Sequence, residues 1–89
     1  MPVLFARYRV GDIEAWKPAF DANEQNRREH GLTAQAVYRD ATYADGVIVV
    51  YEARDLERAH DFYHSDDQRQ RMAHSGLKRA PEFWMGMEL

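Results

Sequence analysis

The chain has 89 residues, 45% of them apolar and 30% charged, with a formal net charge of −3, four histidines and no cysteine. That balance excludes a disordered chain, and no apolar run nears the roughly 20 residues of a membrane-crossing helix. Charges of both signs are interspersed and leave no basic face for nucleic acid, while the lack of cysteine excludes disulfides, thiol catalysis and thiolate metal sites. Residues 1–89 read as one domain, and a chain this short buries only about 60–65% of its unfolded surface, so association with a second copy would help it. The first residues run straight into strand-like Val3-Leu4-Phe5 without the features of an export leader, so a cytoplasmic location is expected.

From Val3 to Val10 two sets alternate, and Leu4, Ala6, Tyr8 and Val10 form the cleaner apolar face of a first strand. Asp12 is placed to cap a helix in which Ile13, Trp16, Ala19, Phe20, Asn23 and Arg27 recur at helical spacing. A proline deep in a helix costs about 3 kcal/mol, so Pro18 is expected near the first turn of the main helix, after a short turn ending at Trp16. Gly31 closes that helix. Thr33–Asp40 and Val47–Arg54 read as two strands of a hairpin joined through residues 41–46. Val47–Val50 is apolar on both faces, which calls for a cover on the sheet's second side, and a partner sheet would supply it. Asp55 caps a second helix carrying Leu56, Ala59, Phe62 and Tyr63; Ser65 and Gln68 match a capping box for a short helix ending at Gly76. Pro81 leads into a last strand, Glu82–Glu88, with Phe83, Met85 and Met87 alternating with Trp84, Gly86 and Glu88. The order βαββαβ predicts an α+β, ferredoxin-like domain with a four-stranded antiparallel sheet.

At 100° per residue Trp16, Phe20, Asn23 and Arg27 share a sector of about 60°, so an apolar stripe turns polar while still facing inward. An amide and a guanidinium there suit a carbonyl, phenol or enolate oxygen. The same pattern is met by an arginine running out to solvent and an asparagine capping a loop. His60 and His64 stand four apart on one helix, but without a third placed ligand they predict no metal site. His60 borders the apolar stripe of its helix and is the histidine expected to look inward as a general base. Tyr8, Tyr38, Tyr51, Tyr63, Phe62 and Trp84 supply aromatic lining or ordinary core. Arg7 and Arg9 share the other face of the first strand, with Glu52 and Glu88 as expected acidic partners.

Trp16-Lys17-Pro18-Ala19-Phe20-Asp21, then Asn23 and Arg27 before Gly31, and Asp55-Leu56-Glu57 opening the second helix, resemble the dimeric α/β-barrel superfamily. The likeness runs over nearly the whole chain and is to its small antibiotic biosynthesis monooxygenase-like and cyclase-like proteins. It implies a homodimer in which two four-stranded sheets close a barrel with the helices outside. It also implies a small apolar, aromatic or polyketide-like molecule, oxygenated or cyclised without an organic cofactor. Asn23 and Arg27 would then orient and stabilise an enolate and His60 would move protons, with Trp16, Phe20, Tyr63, His74 and Trp84 around the substrate. A non-catalytic ligand-binding or stress-associated accessory dimer is the alternative. Haem-degrading relatives carry an asparagine on the first strand, a tryptophan in the second helix and a histidine beyond. Here Arg7 and Arg9, Phe62 or Tyr63, and His74 stand in those places, so haem is not expected. No glycine-rich phosphate loop supports nucleotide or flavin.

Overall fold

A computed structural model describes residues 2–66, 70 and 81–89. Strand β1 (Pro2–Arg9) leads into helices α1 (Ile13–Ala22) and α2 (Glu24–Glu29); β2 (Leu32–Arg39), β3 (Gly46–Ala53), α3 (Leu56–Tyr63) and β4 (Glu82–Met87) follow. The strands form one antiparallel sheet in the order β2-β3-β1-β4, the ferredoxin-like βαββαβ arrangement. The capping-box helix expected from Ser65 to Gly76 falls largely outside the described residues.

Alternation decides which face of the sheet is buried. Leu4, Ala6 and Tyr8 of β1 stand opposite Tyr51, Val49 and Val47 of β3, and all of them are buried. Trp16, Phe20, Leu32, Ala59, Phe62 and Tyr63 complete this core, with Phe83 packed against it. On the other face lie Phe5, Arg7 and Arg9 of β1, half-buried Ile48 and Val50 of β3, and Trp84 of β4 opposite Phe5. The doubly apolar run Val47–Val50 is therefore explained: its odd members meet helices, and its even members belong to a second, partly exposed apolar surface.

Helix α1 corrects the reading of Pro18. The helix runs unbroken from Ile13, so Pro18 sits inside it. The missing amide leaves the Glu14 carbonyl without its helical donor, and both residues lie on the exposed side, where water replaces the bond. Asp12 caps as expected, its Oδ1 accepting from the amides of Glu14 and Ala15 at 3.0 and 3.4 Å. The break comes later, at Asn23 (φ −93°, ψ 7°), which ends α1 and opens α2. Gly31 closes α2 with φ 82°, a conformation that disfavours any Cβ. Asp55 caps α3 through the amides of Glu57 and Arg58.

Arg7 and Arg9 find other partners than Glu52 and Glu88. Arg7 Nε lies 3.1 Å from Asp40 and Arg9 Nε 2.6 Å from Asp45. Both acids belong to the β2–β3 connection, which folds over the end of β1, and Glu52 is instead joined by Gln35 at 3.0 Å. Gly46 permits this closure, because a Cβ there would stand 2.7 Å from that of Asp40.

Candidate functional site

Helix α1 turns Trp16 and Phe20 toward the sheet, where the two rings stack at 4.8 Å and Trp16 meets Tyr8 at 5.7 Å. Helix α3 delivers Tyr63 against Tyr51 at 6.0 Å and Phe83 at 4.6 Å. The result is an aromatic interior between helices and sheet whose polar groups, among the described residues, are the hydroxyls of Tyr8, Tyr51 and Tyr63 and the guanidinium of Arg27.

Arg27 is 3% exposed, so it does not run out to solvent. Its Nη1 donates to the Phe20 carbonyl at 2.9 Å, and its guanidinium lies 3.7 Å from the centre of the Phe20 ring. The helix break explains this: beyond Phe20 the chain stops being one regular helix, and the arginine side chain takes up a carbonyl at the end of α1. Arg27 Nε is buried with no hydrogen bond, and no carboxylate pairs with the guanidinium among the described residues.

Tyr8 and Tyr51 share a hydrogen bond of 2.9 Å. The Tyr63 hydroxyl is buried and close enough to both to couple with them, yet it makes no hydrogen bond to a described residue. Burial pushes the Tyr8 and Tyr63 phenols well above their usual pKa, and neighbouring phenols add to it. Burial raises Tyr51 as well, against the neighbouring phenols of Tyr63 and Tyr8 and the positive charge of Arg27. All three are therefore proton carriers at neutral pH, able to donate.

The other expected site residues are placed differently. Asn23 is half-buried at the α1–α2 junction, its Oδ1 accepting from Asn26 at 3.3 Å, and the Arg27 amide donates to the Asn23 carbonyl at 3.2 Å across the break. His60 does not look inward: its side chain is 55% exposed. Helix α3 buries an arc centred on Ala59, and His60 lies about 100° around from it. Its ring stacks on His64 at 4.1 Å, and no group of three metal-binding side chains exists among the described residues. Trp84 is 48% exposed on the opposite face of the sheet, because Phe83 takes the helix-facing place in β4. His74 lies outside the described residues. Trp16, Phe20 and Tyr63 do line the interior. Tyr8 and Tyr51 join the site only in three dimensions, although both fall on the apolar, helix-facing sets of their strands, which was the available signal.

No family model matches the chain, and no curated protein matches it. Solved structures do. A Bordetella bronchiseptica protein provisionally named an antibiotic biosynthesis monooxygenase superposes with a TM-score of 0.79 at 12% identity, over 99% of this chain and 96% of that one. A Nitrosomonas europaea protein with the same provisional name gives 0.69 at 18% identity, covering 100% and 99%. An uncharacterised NIPSNAP domain protein from Burkholderia xenovorans gives 0.70 at 9% identity, covering 100% and 95%. The chain has the fold of the antibiotic biosynthesis monooxygenase-like structures, as the resemblance in its sequence implied.

Proposed function

We propose that this protein binds a small, flat, largely apolar molecule carrying an enol or phenol oxygen in the space between helices and sheet. The observation that carries this reading is the buried Arg27 guanidinium, which has no carboxylate partner among the described residues. An uncompensated buried cation is costly, and an anionic ligand offsets that cost where a solvent-facing arginine would need none. Trp16, Phe20 and Phe83 provide faces and edges for a planar ring system.

The names of the structural neighbours, antibiotic biosynthesis monooxygenases, support oxygenation of the bound molecule. In that chemistry Arg27 stabilises the enolate as charge develops, and the phenols hold the protons. The unit that works is a homodimer. The second sheet face carries Phe5 (39% exposed), Val50 and Trp84 beside a hollow of about 540 Å³ lined also by Val3, Gly86 and Met87, and another copy of the sheet would cover it.

A second reading, a ligand-binding dimer without turnover, is favoured by the dense stacking of Trp16, Phe20, Tyr63 and Phe83 across the interior. Calorimetric titration with 1-naphthol tests binding, and an oxygen electrode on the same mixture separates the two readings. Binding with oxygen uptake supports the oxygenase, and binding without it supports the carrier. If 1-naphthol and related hydroxyarenes do not bind, and Arg27→Met changes nothing, the interior site is wrong.

A further inference from the structure

Among the described residues the three buried phenols have one hydrogen bond between them, from Tyr8 to Tyr51 or the reverse, and no carboxylate beside them. Among the described residues the Tyr63 hydroxyl and Arg27 Nε also find no hydrogen-bond partner. Tyr63 and Arg27 are each more than nine-tenths buried, so solvent does not satisfy them. No carboxylate is placed against any of these groups among the described residues. A cluster of phenolic O–H groups with positive charge nearby and no carboxylate among the described residues is complementary to a lone-pair-rich, anionic oxygen.

Resting on the interior site proposed above, we propose that Tyr63, backed by the Tyr8–Tyr51 pair, is the donor that selects the ligand's oxygen, so that the site takes the deprotonated, enolate or phenolate form of its ligand in preference to the neutral one. The geometry gives the division of labour. Phe20 neighbours both Arg27 and Tyr51, with its ring centre 3.7 Å from the guanidinium and 6.4 Å from the Tyr51 ring. Arg27 therefore contributes field while the phenols contribute the short, directional bond. Tyr51 and Tyr8 are positioning residues: their mutual bond fixes both rings and supports the Tyr63 hydroxyl from the sheet side.

The test uses 4-nitrophenol, whose yellow anion reports its own ionisation, and 4-nitrotoluene as a probe of the same shape without the acidic oxygen. The wild-type protein is expected to bind the nitrophenolate in preference to nitrotoluene and to lower the apparent pKa of the bound phenol. Tyr63→Phe should cut affinity for the anion roughly ten- to hundredfold, the loss of one charge-assisted bond, while nitrotoluene affinity stays unchanged. It should also return the bound probe's pKa toward its value in water, a readout that a purely structural role for Tyr63 would not move. Tyr51→Phe is the second variant and should shift the bound probe's pKa in the same direction by less. Equal affinity for both probes, or a bound pKa unchanged in both variants, overturns the role of the phenols and leaves the interior site standing. If neither probe binds the wild type, the interior site itself fails and this inference with it.

Discussion

Arg27 holds a carbonyl at the end of α1 and also places in an apolar interior a charge with no carboxylate partner among the described residues, and these two roles pull its substitutions apart. Arg27→Met keeps the alkyl stem on Phe20, loses the bond to the Phe20 carbonyl and removes the desolvated charge. The opposing effects should leave stability within about 1 kcal/mol of wild type while abolishing affinity for an anionic probe. Arg27→Ala also opens a cavity and should cost about 2 kcal/mol or more in a urea titration. Asn23→Ala, at a half-exposed turn, should cost no more than ~0.5 kcal/mol and leave affinity alone. The phenols make a different prediction. Folding raises the pKa of Tyr8, Tyr51 and Tyr63 above the ordinary 10.0, so the unfolded chain releases these protons first as pH rises. Their contribution to stability is then complete below pH about 10 and is lost above it, by up to ~1.4 kcal/mol per pH unit for each phenol that ionises only on unfolding. Tyrosinate absorbance at the three buried rings should rise together with loss of near-ultraviolet circular dichroism. If they ionise while the tertiary signal persists, the closed phenol cluster is wrong.

Helix α1 and the β2–β3 connection show where local rules hold and where tertiary context overrides them. Pro18→Ala restores an amide donor to Glu14 on an exposed helix face, and a rise in melting temperature is expected from it. Gly46→Ala goes the other way: its Cβ meets Asp40 at 2.7 Å, displaces the partner of Arg7 and should cost about 2 kcal/mol in thermal melts. The strands, both aspartate caps and Gly31 were legible because period, capping chemistry and left-handed turns are written in neighbouring residues. The position of Pro18 was not, since the solvent that relieves its missing bond is a property of which face is exposed. Asn23 and Arg27 stand one turn apart but in different surroundings, Arg27 buried and Asn23 half-buried where α1 ends and α2 begins, which the sequence spacing alone did not show. His60 was assigned inward from the border of its helix's apolar stripe and Trp84 was placed around the substrate as one of the aromatic lining residues, and one step around a helix or along a strand decided otherwise. Tyr8 and Tyr51 lie 43 positions apart, and only the antiparallel register of β1 on β3 brings their hydroxyls together.

At the scale of the whole molecule, helices cover one face of the sheet, and no described element covers the other. Phe5, Trp84 and half-buried Val50 share the second face with Arg7, whose guanidinium stands 5.7 Å from the centres of both the Tyr43 and the Trp84 rings. Trp84→Glu places a charge at the centre of the surface proposed to meet a second copy, yet it leaves the helix-facing core untouched. Sedimentation should find wild type as a dimer at micromolar concentration and Trp84→Glu shifted toward monomer, with far-ultraviolet circular dichroism unchanged. A wild-type monomer under those conditions would remove the second copy from the proposal.

The pairing of β2 with β3 skips one residue, since Ala34 stands opposite Tyr51 and Ala36 opposite Val50, its immediate neighbour. Elsewhere in a strand, removing a single residue sends every later side chain to the wrong face. Here the extra residue has already been absorbed, so losing Gln35 would leave Thr33 and Tyr38 on one side and Leu32 and Val37 on the other, at the expense of the bond to Glu52. The bulge is thus the place in β2 where chain length is free to drift between descendants of a common ancestor, and a gap at position 35 is compatible with an otherwise unaltered sheet.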